Sequence, residues 1–141
     1  MRIRIAKEFT WEMSHRLPFH QGDCKNIHGH TYKVRVEVEG ETDTNGMLID
    51  YYDLAKIVNP VINQMDHSFL VDEHDDLMMN FLKTNGFKHF VIPFTTTAEN
   101  IAKFLIEAFT PKFQDFDNID FLKIRFQETS DVFAELETKI K

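Results

Sequence analysis
From His28 to Glu39 every second residue shares one character, with His28, His30, Tyr32, Val34, Val36 and Val38 in one register and Gly29, Thr31, Lys33, Arg35, Glu37 and Glu39 in the other. A period of two held this long describes a β-strand with one buried face. The two histidines open the strand at the end of its apolar row, and Gly29 adds no side chain between them. Neutral imidazole is a common zinc ligand, and catalytic zinc usually takes three ligands from protein, leaving a position for water or substrate. A third ligand must then come from elsewhere in the chain. Taken alone, His-Gly-His reads equally well as a polar turn with two solvated histidines.

The preceding segment supplies the partner. Residues 2–13 alternate with Ile3, Ile5, Phe9, Trp11 and Met13 on one face and Lys7 as the exception. This first strand leads into His15-Arg16-Leu17-Pro18, where Pro18 cannot donate to a ladder and ends the pairing. If the two strands pair antiparallel, His15 is brought to His28 and His30. Cys24, the only cysteine, sits four residues before His28. It is open to three readings: a fourth ligand closing a structural site, a thiolate base or nucleophile beside a cation, or a buried small hydrophobe.

Beyond the turn at 40–46, Leu54, Ile57, Val58, Val61, Ile62 and Met65 recur at helical spacing, with Asp50 or Asp53 able to cap the start and Pro60 able to kink or restart the helix. Asp66-His67 follows directly. A weaker helical pattern over 73–85 ends at Asn85-Gly86, and His89–Ile92 reads as a short strand. Thr95-Thr-Thr97-Ala-Glu99-Asn100 opens another helix that Pro111 closes, and two strands, 120–128 and 132–140, meet at a turn over 129–131. The expected fold is α+β, a four-stranded antiparallel sheet with helices on one face. One domain spans residues 1–141.

Composition narrows the function. A net charge of −7 without clustered Lys and Arg argues against nucleic-acid binding, so an anionic ligand would need local cations such as Lys7, Arg16 or Lys25. No apolar run approaches a membrane span, and the first residues alternate instead of forming a signal peptide, so no membrane partner and a cytoplasmic location are expected. Glu128 lies at the end of the apolar row Ile124, Phe126. A carboxylate held there needs a partner and suits a ligand with two adjacent N–H donors. Glu99 has a helix-capping role as its plainer reading. Asp66 can fix the tautomer of His67 if the fold turns them together, whereas His20, His74 and His89 have no evident partner.

Phe9 through His15-Arg16-Leu17, Cys24-x-x-x-His28-Gly29-His30-Thr31-Tyr32, Gly46-Met-Leu-Ile-Asp50-Tyr-Tyr-Asp53-Leu54, Met65-Asp66-His67, Thr97-Ala98-Glu99-Asn100-Ile101-Ala102 and Glu128-Thr129 follow one another along the chain. In this set the chain resembles the 6-pyruvoyltetrahydropterin synthase and 6-carboxytetrahydropterin synthase family. The resemblance implies the tunnel fold, in which sheets from several subunits join into a barrel, as trimers stacked into homohexamers with intersubunit sites. It implies Zn2+ on His15, His28 and His30, and Cys24 as catalytic proton acceptor. Asp66 and His67 would be a relay pair from a neighbouring subunit, Glu128 the anchor of the pterin ring, and Thr97 and Glu99 its flank. The implied substrate is 7,8-dihydroneopterin triphosphate. The Cys-x-x-x-His-Gly-His spacing favours the carboxy-forming lyase of queuosine synthesis over the pyruvoyl-forming synthase. The chain departs from the family in a long stretch over about 72–92, an elaboration of the domain, and in a tail lacking Tyr-x-Gly-Glu. Two other classes compete: a zinc hydrolase in which Cys24 is incidental, and a non-catalytic pterin- or zinc-binding module in which it is the fourth ligand.

Overall fold
A computed structural model describes residues 1–141. In chain order it contains β1 (Arg2–His15), a single 3-10 turn (Asp23–Lys25), β2 (His28–Glu41), α1 (Tyr51–Met65), β3 (Ser68–Asp72), α2 (Asp76–Asn85), β4 (His89–Ile92), α3 (Ala98–Phe113), β5 (Ile119–Thr129) and β6 (Val132–Lys139). The strands form one sheet in the order β4-β3-β1-β2-β5-β6. β1, β2, β5 and β6 pair antiparallel as the alternation predicts, with Trp11 opposite Tyr32 and His15 opposite His28.

The expectation of a four-stranded, purely antiparallel sheet is corrected. β3 pairs parallel with β1 through Met13 and Ser14, and β4 pairs parallel with β3. The reason β3 escapes a search for alternation is its burial: Ser68, Phe69, Leu70 and Val71 are all buried, so both faces are apolar and no period of two remains. Leu70 joins the main core, while Phe69 and Val71 pack with Met78 and Leu82 of α2. Successive strand residues point to opposite faces, so α2 covers the face opposite to the main core. Helices on one face hold for α1 and α3 only.

The main core joins 26 buried residues, among them Phe9, Trp11, Val34 and Val36 of the sheet, Leu54, Val58 and Ile62 of α1, and Ile101, Leu105 and Phe109 of α3. The Asp50 side chain caps α1 by accepting from the Tyr52 amide at 2.8 Å. The helix runs through Pro60 without a break; the proline lies on the exposed side, where the carbonyl it leaves unpaired can meet water. Likewise α3 continues past Pro111 to Phe113. Gly86 adopts φ 67 as it ends α2, the left-handed conformation that glycine takes without a Cβ penalty.

Candidate metal centre and its surroundings
The antiparallel register of β1 and β2 creates the site. His15 is the last residue of β1 and continues the buried parity of Phe9, Trp11 and Met13, so its ring meets those of His28 and His30 at centroid distances of 4.7 and 5.5 Å. One ligand atom from each of the three lies within 4.8 Å of the others. His15 is 1% exposed.

Hydrogen bonds settle the orientation of the His15 and His28 rings. His15 Nδ1 lies 2.9 Å from the Thr96 carbonyl and 3.0 Å from its hydroxyl, and His28 Nδ1 lies 2.7 Å from the Asn26 carbonyl. A carbonyl only accepts, so both Nδ1 atoms carry a proton, and in the neutral ring the lone pair is then on Nε2. The Nε2 atoms of His15 and His30 are buried without a hydrogen-bond partner, an arrangement that costs free energy unless something fills it. Burial, with the charge of His28 as a second cause, pushes the His15 imidazole down to about 4; burial and His28 also lower His30. Three imidazoles that bring ligand atoms within 4.8 Å of one another, two with buried and unpartnered Nε2 atoms and two held from behind by carbonyls, fit the donor set of a zinc ion.

Glu128 completes the cluster. Its carboxylate oxygens lie 3.8 Å from His15 Nε2 and 3.7 Å from His30 Nε2. Burial raises its carboxyl above the usual carboxylate range, against the charge of His28 and with that of Glu99. Glu128 also borders a cavity of about 250 Å³ lined with Leu17, Thr97, Glu99, Phe126 and Phe133 among others. Thr97 and Glu99, some thirty residues before Glu128 in sequence, thus line the same cavity as Glu128. The helix cap is Thr97, which accepts from the Asn100 amide at 3.2 Å, and Glu99 is left to line the cavity.

Cys24 sits half-buried in the 3-10 turn and stands outside the ligand set, while its carbonyl accepts from the Leu17 amide at 2.8 Å and ties the turn to the end of β1. Asp66 caps the C-terminal end of α1, and its Oδ1 accepts from the Glu12 amide at 3.0 Å and from His67 Nδ1 at 2.9 Å. Those bonds, the Glu12 amide first, hold its carboxyl below the usual range, with the charge of Lys88 contributing. His67 is turned to a positive φ of 55°, and 76% of its side chain is exposed. It does not join the trio, although it and His30 border a common cavity of about 610 Å³ between the end of β1 and α2.

Other expectations fare differently. Arg16, a candidate cation for an anionic ligand, is instead engaged by Asp75 through two bonds of 2.7 and 2.6 Å. The imidazoles of His20, His74 and His89 make polar contacts only with residues within two positions in sequence. Thr96, Asn26 and Lys88 were not legible as site residues, because each works through a backbone carbonyl or upon one. The aromatic packing beneath the trio runs across three strands: Tyr32 stacks between Trp11 at 5.8 Å and Phe126 at 5.3 Å, and its ring meets His15 and His30 edge-on.

Comparisons with known proteins bear on the chain as a whole. Residues 4–139 match the family model described as 6-pyruvoyl tetrahydropterin synthase. The 6-carboxy-5,6,7,8-tetrahydropterin synthase of Haemophilus influenzae is 38% identical, over 94% of this chain and 97% of that protein. The protein of the same description from Aquifex aeolicus is 30% identical over 91% of this chain and 83% of its own. Among solved structures, 6-pyruvoyl tetrahydropterin synthase from Plasmodium vivax superposes with a TM-score of 0.77 at 18% identity, covering 99% of both chains. A similarity of that kind establishes the fold. No helix is long and apolar enough to cross a membrane.

Proposed function
This chain belongs to the 6-pyruvoyl tetrahydropterin synthase family, and from that premise we propose that it is a zinc-dependent lyase converting 7,8-dihydroneopterin triphosphate and water to 6-carboxy-5,6,7,8-tetrahydropterin, acetaldehyde and triphosphate, in queuosine synthesis. The observation that carries the reading is the trio of His15, His28 and His30, with unpartnered Nε2 atoms on His15 and His30 beside the Glu128 carboxylate. The similarity of the chain, over nearly its whole length, to 6-carboxy-5,6,7,8-tetrahydropterin synthases supports the choice of product.

His15, His28 and His30 would hold the zinc ion, which when bound supplies Lewis-acid polarisation of an oxygen on the substrate side chain and so acidifies the neighbouring C–H. The protein supplies position and proton transfer. Glu128 accepts adjacent N–H donors of the pterin ring, with Thr97 and Glu99 lining the same cavity. Cys24, as thiolate, takes the proton from the substrate side chain. His67 donates through Nδ1 to Asp66, which leaves its exposed Nε2 to exchange protons as triphosphate leaves. That exposure, together with the separation of His67 from the trio, supports a pair that serves the site of a neighbouring subunit in a homohexamer. The sheet supports such an assembly through the open outer edge of β6 and the unpaired outer edge of β1 above Met13. A cytoplasmic location belongs to the same reading.

The test is mass spectrometry of the products formed by zinc-replete protein from 7,8-dihydroneopterin triphosphate. A 6-carboxy pterin with acetaldehyde and triphosphate is expected. A 6-pyruvoyl product would reassign the chain to the pyruvoyl-forming activity, and unchanged substrate would overturn the enzyme reading.

A further inference from the structure
Lys88 stands at the return of the β3-α2-β4 elaboration, immediately before β4. Its ammonium donates to the carbonyl of Asn63 at 2.9 Å and to that of Asp66 at 2.6 Å. These are carbonyls at the end of α1, where the helix itself provides no partner, and the neighbouring Gln64 carbonyl is taken by the Ser68 hydroxyl at 3.0 Å. The Lys88 carbonyl also accepts from the Phe69 amide at 3.1 Å. Lys88 therefore holds the chain on both sides of His67, at Asp66 through its side chain and at Phe69 through its backbone. His67 itself needs holding: it is not glycine, yet its φ is 55°, and its amide donates to the Glu12 carbonyl at 2.6 Å. A non-glycine residue keeps such a conformation only where its surroundings over-determine it.

We infer that Lys88 is a positioning residue for the Asp66–His67 pair, clamping the end of α1 so that His67 keeps its left-handed backbone and its Nδ1 bond to Asp66. The long stretch after β3 then has a purpose, because α2 and its turn deliver the lysine to a helix end that the strand alone would leave untied. A catalytic consequence rests on the lyase reading above; the geometric one does not.

The test compares wild type with Lys88→Met and Lys88→Arg by steady-state kinetics on 7,8-dihydroneopterin triphosphate, zinc content and the ring-nitrogen NMR shifts of His67. Lys88→Met is expected to lower kcat about tenfold to a hundredfold with KM and zinc content unchanged, and to mix the two His67 tautomers. Lys88→Arg, which keeps two donors and the charge, is expected to restore both. Wild-type kcat and ring shifts in Lys88→Met would overturn the inference, as would a loss of kcat with unchanged ring shifts or one that Lys88→Arg fails to restore. If Lys88→Met does not fold, Lys88→Gln carries the same comparison. Absence of turnover by wild type would count against the lyase reading, and the ring shifts would still decide the role of Lys88.

Discussion

His15 is 1% exposed, sealed by the register of two long strands and fixed from behind by Thr96, whereas His67 leaves 76% of its side chain exposed and is held by contacts to Asp66 and to the backbone of Glu12. The first is an imidazole immobilised by the core of the molecule. The second is presented outward from a helix end, on a strained backbone, by groups drawn from three separate segments. A metal ligand benefits from rigidity and burial, since its lone pair must stay where it is aimed. A proton carrier needs a fixed tautomer on one side and access on the other. The two regions meet these needs with the same residue type in opposite settings.

Breaking the buried half should have the largest effect. His15→Ala is expected to lower zinc affinity by more than the roughly hundredfold that loss of an outer-shell partner costs, with activity lost in parallel, as metal analysis and product assay would report. Cys24→Ala separates the chemistry from the scaffold: activity should fall about 10²- to 10⁴-fold with zinc content unchanged. Retained activity would favour a hydrolase in which the thiol is incidental, and lost zinc would favour a closed structural site. Thr96→Val leaves the carbonyl that orients His15 but removes the hydroxyl, so a loss of about tenfold in zinc affinity, the lower end for such partners, is expected by competition with a chelator.

On the exposed half the effects are smaller. Asp66→Asn should lower kcat by about tenfold without moving zinc content, because it weakens the bonds to His67 and to the Glu12 amide and leaves the trio untouched. The weakest signal is in stability. The folded-state pKa of Asp66 is depressed, so its contribution is present above the unfolded carboxyl value and is lost as pH falls through the folded one. Thermal melting of wild type and Asp66→Asn should therefore differ at neutral pH and converge in acid.

The same contrast explains how much was legible beforehand. His28, His30 and Glu128 sit at the ends of rows whose parity is written in the chain, and pairing two such rows is enough to gather His15 with them. Thr97 and Glu99 follow from a recognisable helix start. The setting of His67 depends instead on β3, a strand with no alternation because both its faces are buried, and on Lys88, twenty-one positions later in sequence. Neither carries a local signature, since a lysine that binds carbonyls looks like any surface lysine until the fold closes around it. The placement of α2 on the second face was hidden for the same reason, as was the pairing of Arg16 with Asp75.

The aromatic stack beneath the trio gives the molecule an optical readout of its own. Trp11 is the only tryptophan in the chain, is 3% exposed, and stacks on Tyr32, whose ring touches two of the three histidines. Its emission should be blue-shifted as in an apolar interior, and any ion entering between His15 and His30 would perturb the ring beside it. Fluorescence of the unlabelled protein should therefore respond to a zinc titration, with no reporter attached and no residue altered.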